Sequence, residues 1–184
     1  MDWHNVGMIT RELKIYSTIN KSNNDLNFSL LSYGNKEDLK YLTYLENIKL
    51  ILPFKNLNLS NIYIKFILSF FIPLFLKNKI KNFDIIQTNQ FRGSWVAILL
   101  KFIYNKKIVL RVGFEFFQFQ KNLKKNLIYL FFLKFYSKFV YKYSNKIIVT
   151  TEDIKKYIIE QFNIQNEKIH VIPNYIDTDL FKKN

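Results

Sequence analysis

Short apolar runs alternate with helix-length segments along this chain. "LNFSLLSYG" (26–34) predicts a strand ending in a glycine turn, and "NIKLILP" (47–53) a second one stopped by Pro53. "FDIIQTN" (83–89), "KKIVLRVG" (106–113), "NKIIVTT" (145–151) and "EKIHVIP" (167–173) follow the same plan. Each is rich in Ile, Val or Leu and bounded by polar or turn residues. Such continuous apolar strands suit a parallel sheet covered on both faces. Between them, residues 7–21 place Ile9, Leu13 and Tyr16 at helical spacing. Further helices are expected over 37–45, 59–80, 92–104, 123–143 and 152–162. Thr151 offers a cap for the last, with Glu152 and Asp153 in its first turn. Strand–helix alternation predicts an α/β fold with a doubly wound parallel sheet and helices on both faces. The chain opens almost directly on a helix, and residues 1–6 supply no strand. The first strand of such a sheet is therefore expected to be missing.

Length and composition narrow this picture. At 184 residues and 49% hydrophobic, one domain with a sizeable core is expected. The chain has no cysteine, which excludes disulfides and thiolate sites. Its histidines, His4 and His170, are too few for a histidine metal cluster. The net charge of +14 rests almost wholly on lysine, since the arginines are Arg11, Arg92 and Arg111. Nucleic-acid readers lean on arginine for forked contacts, so no nucleic-acid partner is expected. A residue usage rich in Lys, Asn, Ile and Phe and poor in Ala, Gly, Pro and Arg accounts for the larger part of the charge, with attraction to an anionic membrane surface as a secondary expectation. A core helix with a solvated lysine edge is the plainer reading of 123–143. Lys134, Lys138 and Lys142 share one face of the 123–143 helix, among Leu127, Leu130, Phe131, Phe135 and Phe139. "FILSFFIPLFL" (66–76) is too short to span a bilayer, and Pro73 interrupts it.

In open α/β sheets, ligands bind at the carboxyl ends of the strands. That rule selects Tyr33 and Gly34; Thr88, Asn89 and Gln90, with Arg92 and Gly93 behind them; Arg111, Gly113 and Glu115; Thr150, Thr151 and Glu152; and Pro173, Asn174 and Asp177. Gly7 and Arg11 join the same rim from the first helix. Each has a plainer reading. Arg111 could pair with Glu115 or Glu152, the glycines could serve turns, and Glu152 could complement the helix dipole.

The stretch "KIIVTTEDIKKYIIEQFNIQNEKIHVIPNYIDTDLFKK" (146–183) resembles the end of the N-terminal domain of family 4 glycosyltransferases, which have the GT-B fold. Ile172, Pro173, Asn174, Ile176, Asp177 and Phe181 match the motif that closes that domain. "FDIIQTNQFRGSWVAILLKFIYNKKIVLRVG" (83–113) is similar to two of its central strands, and "GMITRELKIY" and "LLSYGNKEDLKY" to its beginning. Gln87 and Asn89 stand where the family carries histidines, and Tyr175 where it usually has glycine. The resemblance implies a Rossmann-like half of a GT-B enzyme, with residues 1–173 as the N-terminal domain and 174–184 as the start of an interdomain connector. A C-terminal nucleotide-sugar domain is expected outside this chain.

The implied activity is retaining transfer of a hexose from a nucleotide-sugar donor to a glycan or lipid-linked acceptor. No metal or other cofactor is implied. Donor-side or cleft contacts would fall to Gly7, Arg11, Thr151, Glu152 and Asn174, and acceptor contacts to Asn89, Arg92, Gly93, Arg111, Gly113 and Glu115. The expected setting is polysaccharide biosynthesis for the cell envelope, in the cytoplasm and peripherally on the inner membrane face. The isolated chain is expected to be catalytically silent and poorly stable. The competing reading is a non-catalytic module that holds a glycan or a membrane surface.

Overall fold

The computed structural model describes residues 9–23, 25–44, 48–57, 61–89 and 91–174. The chain divides into two compact units, the first ending at Phe75 and the second beginning at Leu76. The fold is α/β with parallel sheets flanked by helices, the Rossmann-like class expected.

The first unit opens with helix α1 (Ile9–Ser22). Strands β1 (Ser29–Leu31) and β2 (Lys49–Ile51) pair in parallel, Leu30 opposite Leu50. A 3₁₀ helix (Lys36–Tyr44) connects them. Leu13 and Ile48 are buried together, with Tyr16, Phe28, Leu30 and Leu50 packed around them. The helix expected over 59–80 is broken. It forms as α2 (Ile62–Ser69) and α3 (Ile72–Phe75), with α4 (Lys77–Ile80) already belonging to the second unit. Pro73 lies within the second piece, and a proline ring removes one helical hydrogen bond and clashes with the turn before it. Ile72 is fully buried, whereas Tyr63, Ile67 and Leu74 are largely exposed.

The second unit is a four-stranded parallel sheet, β3 (Ile85–Thr88), β4 (Lys107–Val112), β5 (Lys146–Val149) and β6 (Ile169–Val171), in sequence order. The register sets Thr88 beside Leu110, Arg111 beside Ile148 and Val149 beside Val171. Period-2 alternation then sorts the side chains. Ile108, Leu110, Val112, Ile147, Val149 and Ile169 face one way and are buried. Helices α5 (Ser94–Tyr104), α7 (Leu127–Tyr143) and α8 (Glu152–Phe162) cover that face through Ala97, Ile98, Val140, Tyr141, Ile158 and Phe162. A strand order that advances in one direction sends right-handed crossovers over one face. Val109, Arg111 and Ile148 point the other way and are half-buried.

Helix ends follow local chemistry. Asn126 accepts from Ile128 N to start α7, and Thr151 accepts from Ile154 N to start α8. Asn105 and Asn163, both left-handed, end α5 and α8. A short helix that the apolar pattern did not announce, α6 (Phe116–Asn122), fills the turn between β4 and α7.

Asn145, just before β5, holds the start of the β4–β5 pair. Its main-chain N–H donates to Ile108 O at 3.0 Å, and its side-chain oxygen accepts from Ile108 N at 2.9 Å. Lys101 Nζ donates to that same oxygen and to Tyr143 O, each at 2.8 Å.

The sorting predicts unequal costs on neighbouring positions of β4. Leu110→Ala removes a fully buried side chain from the sheet centre and should cost about 2–5 kcal/mol. Val109→Ala, on the half-buried face, should cost about 1–2 kcal/mol. Urea unfolding of both variants measures the difference.

Candidate functional site

The polar candidates gather where β3 to β6 end. Asn89 follows Thr88, the last paired residue of β3, which the register sets beside Leu110, the residue before Arg111 on β4. Gly113 follows Val112, and Thr150 follows Val149, so these two are neighbours across the next rung. Thr150 Oγ1 donates to Gly113 O at 3.0 Å and ties the two strand ends together. Ile172 N donates to Val149 O at 2.8 Å, which carries the ladder past β6 towards Pro173 and Asn174.

Arg111 is half-buried on the face away from the core cluster. Its guanidinium reaches the rim, where Nη2 stands 3.5 Å from Asn174 Oδ1. The two residues lie 63 apart in sequence. Their approach joins a residue assigned to the acceptor side with one assigned to the donor side. Asn89 is half-buried and accepts from Gln87 Nε2 at 3.3 Å, so these two amides share one polar patch. Thr88 Oγ1, beneath them, is buried and makes no hydrogen bond among the described residues.

Gly113 has unusual freedom. A Cβ built there would meet nothing within 4 Å. The fold does not require glycine at this position, so the space above it is open to a ligand. Gly34, at the end of β1, is the opposite case. A Cβ there would collide with the Asp38 carboxylate. Asp38 is buried and accepts from Ser32 Oγ at 2.6 Å, and Ser32 Oγ accepts from Gly34 N at 3.1 Å. Gly34 therefore serves packing.

Other candidates take structural places. Thr151 caps α8, and Glu152 is exposed in its first turn. Gly93 occupies the cap position of α5 with φ −141°. Arg92 is exposed, its guanidinium 5.6 Å from the centre of the Phe116 ring. His170 is exposed on β6. Arg11 lies in α1, but its side chain, like Gly7, Gln90 and Asp177, falls outside the described residues. Among the described residues, no group of three His, Cys, Asp or Glu could hold a metal ion, and no helix is long and apolar enough to cross a membrane.

Glu115 departs from its expected place on the rim. It is only 3% exposed and turned inward. One carboxylate oxygen accepts from Gln118 N, capping α6, and the other accepts from Tyr141 OH at 2.9 Å. Nothing in the local pattern pointed to Tyr141, which is 26 residues away and inside α7. Burial raises the Glu115 pKa, and its hydrogen bonds offset only part of that. Burial also raises Tyr141 well above its ordinary value, with the Glu115 charge adding to it. Tyr157 is pushed up to about 12 by burial, with a smaller contribution from Glu115.

Gly113→Ala should leave stability within about 0.5 kcal/mol of the parent. Gly34→Ala should cost about 1–3 kcal/mol by displacing Asp38. Thermal melts compare them. Because the Glu115 pKa is raised in the folded state, the native chain holds its proton where the unfolded chain has lost it. That contribution is complete below the ordinary carboxyl pKa and is lost as pH rises through the folded value. Glu115→Gln should therefore flatten the fall in stability between mildly acidic and neutral pH. The amide keeps an acceptor for Gln118 N and turns its NH₂ to the Tyr141 oxygen. A melting series across pH reads the slope.

Comparison with curated proteins finds no match. Several solved structures share the fold. A glycosyltransferase from Rickettsia africae aligns at 20% identity over 94% of this chain and 39% of its own, with a TM-score of 0.53. HepE of Anabaena, in complex with UDP and glucose, aligns at 14% identity over 92% of this chain and 42% of its own, with a TM-score of 0.57. The HepE complex with UDP-glucose aligns at 11% identity over 85% of this chain and 38% of its own, with a TM-score of 0.54. The chain thus spans about two fifths of the length of the structures it matches. The family described as Glycosyltransferase Family 4 matches residues 30–180, a span that takes in every strand end of the rim, and the chain belongs to that family.

Proposed function

We propose that this chain forms the acceptor-side half of a glycosyltransferase. The enzyme would move a hexosyl group from a nucleotide sugar to a glycan or lipid-linked acceptor, with retention at the anomeric carbon and without a bound metal. The observation that carries this reading is the rim itself. Arg111, Asn174, Asn89 and Thr150 bring a cation, two amides and a hydroxyl to one strand-end edge, beside the open space above Gly113. Guanidinium and amide groups donate to sugar hydroxyls, and amide oxygens accept from them. Family membership and the likeness to HepE, whose structures hold UDP with glucose or UDP-glucose, support the donor class.

In the transfer, the bond from the anomeric carbon to the diphosphate oxygen breaks and a bond to the acceptor hydroxyl oxygen forms. The acceptor's proton leaves with the departing diphosphate. The contribution of this half is positional, since it holds the acceptor hydroxyl against the anomeric carbon. The nucleotide would be held outside these residues, so the 184-residue chain alone would bind acceptor and turn over no donor. The setting that fits this chemistry is envelope polysaccharide assembly at the cytoplasmic membrane face.

The reading predicts a split in kinetic parameters. In an enzyme that includes the nucleotide-holding half, Arg111→Ala should raise the acceptor KM or lower kcat/KM by about 10- to 100-fold, with a smaller change in the donor KM. An effect confined to the donor KM would reverse the assignment. Release of UDP from UDP-glucose by the purified 184-residue chain would overturn the half-enzyme reading.

A further inference from the structure

Helix α7 is apolar on two opposite sides. Leu133, Val140 and Tyr141 pack into the core, with the Ser137 side chain buried between them. On the far side Ile128 is 68% exposed and Phe132 66%, and Leu127, at the helix start, reaches 82%. Phe131 and Phe135 stand beside them, exposed, their ring centres 4.7 Å apart. A helix apolar all round is ordinarily covered all round, and isolated exposed apolar residues need no account whereas a continuous stripe does.

The charge around the stripe has one sign. Every charged side chain between Glu115 and Glu152 is a lysine. Lys134, Lys138 and Lys142 recur every four residues along one edge of the exposed stripe. Lys121, Lys124 and Lys125 crowd the turn from α6 into α7, beside the exposed Leu123. Lys124 holds φ 51°, a left-handed conformation that glycine or asparagine adopts at lower cost. The turn thus keeps a lysine where the backbone would favour another residue.

We propose that the α6–α7 turn and the outer side of α7 dock into the interface of a bilayer rich in anionic lipid. The aromatic stripe would enter the boundary between headgroups and acyl chains, while the lysine edge meets the phosphates. Lysine stems lie along apolar surface and carry the ammonium groups to the headgroup level. A second copy of the chain suits this face poorly, because two such surfaces would bring lysine against lysine. Topology adds a consequence. A helix that returns from the carboxyl end of one parallel strand to the amino end of the next begins at the carboxyl edge of the sheet. The N-terminal turn of α7 therefore lies at the same edge as Gly113 and Thr150. The bilayer would present a lipid-linked acceptor directly to the rim. This last point rests on the proposed transfer activity; the docking does not.

The test is sedimentation of the purified chain with vesicles of phosphatidylcholine, with and without about 30 mol % phosphatidylglycerol, in about 0.1 M salt. The chain should bind the anionic vesicles, bind the neutral ones at least tenfold more weakly, and release in about 1 M salt. Ile128→Ser with Phe132→Ser, and separately Lys124→Gln with Lys125→Gln, should each weaken binding about tenfold or more. The replaced residues are exposed, so unchanged melting curves confirm the fold. Lys155→Gln with Lys156→Gln, on α8, serves as the charge control and should bind as the parent does. The proposal fails if no vesicle binds, if the α8 control loses as much as the turn variant, or if the serine variant binds like the parent. It also fails if light scattering finds a dimer that the serine variant dissolves while vesicle binding is absent. Because no step requires a sugar donor, these failures leave the transfer reading standing.

Discussion

One buried hydrogen bond, from the Tyr141 hydroxyl to the Glu115 carboxylate, fixes the geometry on which the second unit depends. A carboxyl group inside an apolar core is costly, and it is tolerated only where its oxygens are satisfied. Here Gln118 N and Tyr141 OH meet both oxygens. The first sets the origin of α6, and the second fastens that origin to the middle of α7. The turn from Gly113 to Glu115 is thereby held between the sheet and a long helix. Removing either partner would strand a buried polar group, which costs more than the hydrogen bond contributes. Phe91 stacks on Phe116 with ring centres 6.1 Å apart and meets the Tyr141 ring at a tilt, 5.4 Å away, so the same contact is also enclosed in aromatic packing.

This arrangement gives α7 two unlike sides. Its inner side completes the core, with Phe162 of α8 lying 5.1 Å from the Tyr141 ring. Its outer side takes no part in that core. The inner contacts orient the outer stripe, because a helix pinned by Leu133, Val140 and Tyr141 cannot rotate about its axis. A rim built on strand ends and a stripe built on a pinned helix are thus held in fixed relation within this unit, which the proposed acceptor site and the proposed docking surface both require.

The sheet was legible because each strand is a short Ile/Val/Leu run closed by turn residues. The expected runs overshoot the observed strands by one to three residues at either end, where polar residues leave the ladder. The break in the 59–80 helix was visible in Pro73, yet the apolar run around it reads as continuous, and the side-chain pattern alone does not weigh a missing N–H. Helix α6 left no periodic trace, since "FFQFQKN" buries Phe116 and Phe117 and exposes Phe119. The rim positions were readable from topology, because strand ends define them. The partners were not. Arg111 meets Asn174 across 63 residues and Glu115 meets Tyr141 across 26, and local pattern carries no information on such pairings. The strand-end rule selects Glu115 because it follows β4 by three residues, and sequence position does not say which way its side chain turns. Its inward turn is set by a tyrosine from a distant helix.

Asn145 bears on how such a sheet is assembled. Parallel strands have no tight turn to index them, and β4 and β5 must find each other across a helical hairpin, so the entropy of closing that loop precedes any reward. A slip of one residue would drive Lys107 and Arg111 into the core and turn Leu110 out. With its main chain and side chain both engaging Ile108, Asn145 can close both bonds in only one alignment. It serves as a register mark, since a misaligned pairing of the two strands would forfeit both bonds at once.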